Sequence, residues 1–432
     1  MTWAVVGGGM LGLSLAERLA IRGDAVTVYE AADHFGGLAA PWRLGDISWD
    51  RHYHVTLASD AVLRALLRRL DIEKDAVWRK TRTGAFVNGR LHGASNGLEF
   101  LCLPALSLVD KARIVATMFA ASRTPKDVLD GQTAQTWLRR WSGDGGYQRF
   151  WEPLLRSKLG EAHQSASASF IGATIERLAS ARRNEFGEER FGYVPGGYAV
   201  VLGRYEERLR GLGAELRANA QVHEIKRADN GWEIRSSLGV GHADRVVVTV
   251  PASFAARMCP QLSVEERARL NGLRYQGIVC AALLLSRPLS PYYVTNLIDP
   301  MFPFTGVVEM TALVDPAQFG GKTLVYLPKY TATNDPIFEE DDEQIQSRFL
   351  AGLRRIHPGL RDEEILAFRI SRVRHVFTIP TVGYSANVPP MRTSLPGLAL
   401  VNSAQITGGT LNVNETLALA ERAFAHITQE GL

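Results

Sequence analysis

A glycine turn at residues 7–12 restricts this chain more than any other feature. Trp3, Ala4, Val5 and Val6 form an apolar run that meets Gly7, Gly8, Gly9, Met10, Leu11 and Gly12. Leu13, Leu15, Ala16, Leu19 and Ala20 follow at helical spacing as far as Gly23. A second run, residues 25–29, ends on Glu30. Strand, tight turn, helix, strand and acid come in the order of a dinucleotide-binding βαβ unit. Each residue type has a physical task there. Gly7 allows a sharp exit from the strand, Gly9 lets backbone N–H groups approach a diphosphate, and Gly12 lets the helix lie against the sheet. The helix start adds unpaired N–H donors and partial positive charge. Glu30, 18 residues beyond Gly12, suits the ribose hydroxyls of an adenosine and repels a 2′-phosphate, which disfavours NADP. A chain with 40 glycines matches Gly-x-Gly-x-x-Gly by accident, so the flanking strands and the acid carry the reading. NAD and FAD share the fingerprint.

Composition narrows the class. At about 150 residues per domain, 432 residues give two to three domains. With 46% hydrophobic and 22% charged residues the chain is an ordinary globular one, not disordered or collagen-like. Cys102, Cys259 and Cys280 are odd in number and far apart, which fits neither a disulfide framework nor a zinc site. A reducing, cytoplasmic setting and no metal are the expectation. The net charge of +4 is spread out, which argues against nucleic acid and leaves a small, even anionic, molecule as partner. The apolar stretch at residues 100–108 is broken by Pro104 and falls short of the roughly 18 residues a membrane span needs. With Ile114, Val115, Met118 and Phe119 it reads as an internal core helix, contact with a membrane surface being the alternative.

Gly36-Gly37, six and seven residues after Glu30, separates NAD from FAD. Together with residues 5–16 and 26–30, the pair resembles FAD-binding proteins of the flavin amine oxidase and protoporphyrinogen oxidase superfamily, more distantly UDP-galactopyranose mutase. Many amine oxidases place an arginine straight after the pair; this chain has Leu38, and Arg43 is a weak substitute. The resemblance implies an α/β fold: a discontinuous Rossmann-like FAD-binding domain (1–90, 190–260 and 385–432) interleaved with an α+β substrate-binding domain (91–189 and 261–384). It implies noncovalent FAD, since no cysteine lies near the C-terminal flavin segment. Beyond Gly7 to Gly12, Glu30, Ala31, Gly36, Gly37 and Leu38, it assigns cofactor contacts to Val222, through its backbone to adenine, and to Thr249. Asn402, Ser403, Asn412 and Asn414 complete that set; Asn412 or Asn414 is also a natural N-cap of the last helix. That helix would point its N-terminus at the flavin pyrimidine ring and raise its reduction potential. Thr410 and Leu411 stand where several relatives have an arginine.

The titratable cluster Asp50-Arg51-His52-Tyr53-His54 supplies the catalytic candidates. His52 or His54 could move protons beside the flavin, and alternation would put both on one face and Tyr53 on the other. His54 is the expected base; a structural histidine pair is the competing account. Lys158 and Arg183 could hold a phosphate or carboxylate, a surface role being the plainer reading. The resemblance implies removal of a hydride from a CH–CH, CH–NH or CH–OH group to flavin N5. Two alternatives stand beside it: a redox-neutral mutase acting on a nucleotide sugar, and a flavin-binding protein without turnover. Helices are expected near 60–70 and 133–141, a hairpin around Asn230-Gly231, and strands at 278–285 and 323–327.

Overall fold

The structure is a computed structural model that describes residues 1–104, 106–180, 190–299 and 302–429. Five parallel strands form its first sheet, in the order Glu215–Arg217, β2 (Ala25–Tyr29), β1 (Thr2–Val6), Arg245–Val248, Leu398–Leu400. Three separate stretches of chain feed that sheet. Both of its faces are covered, so its central strands are continuous apolar runs: Val5, Val28, Val246, Val247 and Val248 are all fully buried. Helices α1 (Met10–Ile21), Gly197–Gly211 and Val413–Thr428 cover one face through Leu13, Leu19, Tyr205, Leu209, Leu417 and Ala420. The strand order reverses beside β1, and the glycine turn leaves β1 at its C-terminal end, at the crevice where such sheets bind ligands.

A seven-stranded sheet forms the second body, in the order Ile365–Thr378, Tyr275–Leu285, Thr323–Ala332, Gly306–Glu309, Val294–Leu297, Thr83–Val87, Arg90–Gly93. Every residue of Tyr275–Leu285 is buried. The boundary expected at residue 90 falls within the hairpin Thr83–Val87/Arg90–Gly93 of this sheet. Helices Leu108–Ala121, Ala134–Gly146, Glu152–Leu159 and Ala168–Ser180 enclose a separate core around Trp137, Leu138, Tyr147 and Trp151. The hairpin expected at Asn230-Gly231 forms from Val222–Ala228 and Gly231–Ser236, with Gly239–Ala243 as third strand. Arg183 lies outside the described residues.

The helix Leu108–Ala121 bears out one expectation only in part: Ile114, Ala120 and Ala121 join a buried core, but Val115, Met118 and Phe119 do not. Its inner face carries Lys111, Ile114 and Thr117, 5%, 0% and 0% exposed, while Leu108, Val109, Val115, Met118 and Phe119 face out. Leu98 and Leu101 of the preceding short helix are exposed as well. The inward polar groups are satisfied: Lys111 Nζ donates to the Leu101 carbonyl, and Thr117 Oγ1 lies 2.7 Å from Ser142 Oγ. Apolar content alone could not tell which face turns inward, because polar residues inside need only find partners.

Candidate cofactor cradle and reaction cleft

Each glycine of the turn has a separate cause. Gly7 has φ +110°, and its N–H donates to the Tyr29 carbonyl at 2.8 Å, tying the turn to β2. A Cβ on Gly12 would stand 1.9 Å from the Gly7 carbonyl oxygen, so no side chain fits between helix and strand. Gly8, expected from sequence only as a cofactor contact, has a steric cause as well: a Cβ there would meet the Phe35 ring at 2.5 Å and Glu30 Cβ at 2.9 Å. Gly9 differs. Its φ of −71° suits any residue, and a Cβ there would meet nothing nearer than Gly37 Cα at 3.9 Å. Neither backbone nor packing requires glycine at position 9, and the space beside it is open to a group outside the polypeptide. Gly9 is the N-cap of α1 with no side-chain cap and no acidic residue in the first turn, so the N–H groups stay unspent for an anion. Met10 and Leu11 turn inward and anchor that first turn in the core.

Glu30 is held in place by its own backbone. Its Oε2 accepts from Gly8 N at 2.7 Å and its Oε1 from Ala32 N at 2.9 Å, leaving lone pairs on both oxygens for a ribose diol. Ala31 beside it is exposed. Val222 begins the strand that follows Ala220, whose N–H donates to the Glu30 carbonyl, so it stands on the same side as the acid. Thr249 Oγ1 donates toward the Val6 and Gly7 carbonyls at 3.1 and 3.0 Å, which braces the turn from beneath. Gly36, at φ +112°, donates to the Gly8 carbonyl and brings the second glycine pair against the first. These residues fit FAD: an uncapped helix start, an oriented acid and a vacant approach at Gly9 converge on one crevice.

The C-terminal asparagines divide between two helix starts, and Asn412 fills the N-cap role expected of it or of Asn414. Asn412 caps its own helix through Oδ1 to Glu415 N, 3.0 Å. Asn414 Oδ1 accepts from Val62 N and Leu63 N, both at 3.1 Å, capping the helix Ala61–Arg69, so that oxygen is spent on protein rather than on flavin. Asn402 caps a short 3-10 turn through Ala404 N; Ser403 begins that turn.

His52 also departs from its expected role. It is 7% exposed; Nδ1 lies 3.3 Å from the Leu38 carbonyl and Nε2 3.2 Å from Ser371 Oγ. Burial, then Arg51 and His54, push its pKa down to about 3, so the ring is neutral and spent on both sides. It braces the turn after Gly37 instead of moving protons. Residues 51–55 are not a strand, and strict alternation fails. His52 packs on Leu38 and Ser371, whereas His54 packs on the Tyr198 ring at 5.0 Å. His54 Nδ1 is buried without a hydrogen bond, 3.7 Å from Asp50 Oδ2, beside a cavity of about 20 Å³ that both residues line. Asp50 Oδ1 accepts from Tyr198 N at 2.7 Å, at the start of the helix Gly197–Gly211.

Tyr53 turns to a cluster that sequence spacing could not show. Its hydroxyl lies 2.9 Å from that of Tyr330; Lys158 Nζ is 3.4 Å from the first, 3.5 Å from the second and 4.4 Å from the Tyr330 ring centre. Tyr330 meets Phe377 edge-on, and Phe377 stacks on Phe170. The next residue, Thr378, bonds Tyr384, whose hydroxyl donates to the Ala404 carbonyl of the C-terminal segment. The aromatic cluster is thus one residue away from the brace at His52 and one from the tie at Thr378. Burial raises the Tyr53 phenol well above its ordinary pKa, so it stays neutral.

Comparison with known proteins decides the family. Residues 11–411 match the model of the flavin containing amine oxidoreductases. The chain belongs to that family. A carotenoid phi-ring synthase from Streptomyces griseus is 38% identical over 97% of this chain and 85% of its own length. A zeta-carotene desaturase from Synechocystis is 24% identical over 93% and 92%. The fold is shared with a solved oxidoreductase from Methanosarcina mazei, TM-score 0.77 at 20% identity, over 98% of this chain and 99% of that one. The protein is an FAD-dependent oxidoreductase.

Proposed function

We propose that this enzyme desaturates an apolar, conjugated substrate of the carotenoid type, taking two hydrogens from adjacent carbons. The observation that carries this reading is the 38% identity to a carotenoid phi-ring synthase along nearly the whole chain. The aromatic walls of the cleft, Tyr53, Tyr330, Phe377 and Phe170, support it, because conjugated hydrocarbons pack on ring faces without requiring polar partners. Bound FAD supplies the acceptor for the hydride, at N5. The chain's own groups do the rest: His54, whose Nδ1 lies 3.7 Å from Asp50 Oδ2, takes the accompanying proton. FAD is held noncovalently. The mutase reading loses support at Thr410 and Leu411, where no cation is present to clamp a nucleotide diphosphate.

Such a substrate resides in lipid, and the outward face of Leu108–Ala121 suits that source. Leu98, Leu108, Val109 and Phe119 are 77%, 75%, 63% and 61% exposed. Arg113, Arg123 and Arg140 stand on or beside this helix, with no carboxylate within 4 Å among the described residues, matching anionic headgroups. No described helix is long and apolar enough to cross a membrane, so the contact is peripheral.

Anaerobic mixing tests the substrate class. The FAD-loaded enzyme is expected to lose its yellow colour with carotenoid hydrocarbons in mixed micelles and to keep it with putrescine or UDP-galactose. Bleaching by the amine alone would overturn the reading.

A further inference from the structure

Within the titratable cluster, Arg51 belongs neither to the aromatic cluster at Tyr53, nor to the His54–Asp50 pair, nor to the brace at His52. It reaches the cradle through a hairpin: β3 (Pro41–Leu44) pairs antiparallel with β4 (Ile47–Asp50), placing Asp50 opposite Pro41, and Arg51 N donates to the Ala40 carbonyl. The side chain then turns back, and Nη2 donates to the Gly37 carbonyl at 2.8 Å. Gly37 is the residue whose Cα faces the open side of Gly9. Its Nε is buried without a hydrogen bond, and no carboxylate lies within 4 Å of the guanidinium among the described residues. Burial, with Arg369 adding repulsion, holds its pKa below the ordinary arginine value. A half-buried cation without a counter-ion is costly, and natural sites keep one where a ligand completes it.

Leu38 follows the glycine pair, so the chain has no cation at that position. We propose that Arg51 binds the diphosphate of FAD, working with the uncapped start of α1 from the opposite side of the crevice. Guanidinium suits this task because its donors form a planar fork that pairs with phosphate oxygens. The inference rests on FAD binding in the cradle, and its test separates the two. Arg51→Gln keeps a donor for the Gly37 carbonyl and removes the charge.

Holoenzyme is stripped of flavin, and FAD, ADP and adenosine are titrated by fluorescence or calorimetry into wild type, Arg51→Gln and Arg51→Lys. The expected result is a loss of at least tenfold in affinity for FAD and ADP in Arg51→Gln, partial recovery in Arg51→Lys, and unchanged adenosine binding. FAD affinity within twofold of wild type in Arg51→Gln would overturn the proposal. So would an equal loss for adenosine, which marks a distorted site, or a shifted flavin potential with unchanged ADP affinity, which marks a contact to the ring. Failure of wild type itself to take up FAD would strike the cofactor assignment, not Arg51. Should Arg51→Gln not melt cooperatively, Arg51→Lys carries the comparison: the proposal then requires weaker ADP binding than wild type with adenosine unchanged.

Discussion

At residues 7–37 the proposed site is built from backbone, whereas around Tyr53 it is built from side chains. The cradle is made of positions where a side chain is forbidden, such as Gly12, or where backbone N–H groups are left free, as at Gly9. The aromatic cluster gathers Tyr53, Lys158, Phe170, Tyr330 and Phe377 from segments more than 300 residues apart at the extremes. The lesson is that one fold can keep its cofactor while its substrate changes, because the two sites fail in different ways.

The sharpest way to break the comparison is Gly12→Val. Its side chain would enter the space of the Gly7 carbonyl, and relief requires moving α1 off the sheet. We expect loss of retained flavin and a destabilisation of about 3 kcal/mol or more, as for severe overpacking. Flavin content and thermal melting read both. By contrast, Phe119→Glu combined with Leu108→Glu changes only the outer face. Sedimentation with vesicles containing anionic lipid should fall at least tenfold, while flavin content stays at the wild-type level and stability shifts by about 0.5 kcal/mol or less per site. Equal sedimentation of variant and wild type would refute a lipid-docking face.

A smaller effect sharpens the boundary between the regions. His52 has a folded-state pKa of about 3 against an ordinary 6.5, so the unfolded chain binds more protons between those values. Stability attributable to it is therefore present above pH 6.5 and lost as pH falls toward 3, at up to about 1.4 kcal/mol per pH unit. His52→Asn should flatten the acid limb of a stability-versus-pH curve relative to wild type. An unchanged limb would show that His52 is not a buried neutral brace.

How much of this was legible in the sequence follows the same division. The βαβ unit was readable because glycine spacing, apolar runs and Glu30 are local and each has a steric or electrostatic cause. The long-range cluster was not, since no periodicity links Tyr53 to Tyr330 or Lys158. Arg51 stood in plain view, yet sequence distance pointed to Arg43; only the hairpin register returns Arg51 to Gly37. Asn414 read as a flavin contact because a polar residue beside a helix start has two uses, and the partner at Val62 lies 352 residues away. Along Leu108–Ala121 the sequence predicts a core helix, which holds for Ile114 but not for Val115, Met118 and Phe119, because an apolar stripe does not declare which of its residues turn inward.

The most direct test of the central claim is a single anaerobic turnover of FAD-loaded enzyme with a carotenoid hydrocarbon, followed by mass analysis of the recovered pigment. The account predicts product lighter by two hydrogens in proportion to flavin reduced. Flavin that is reduced while the pigment returns with unchanged mass, or pigment altered without any flavin reduction, would contradict it.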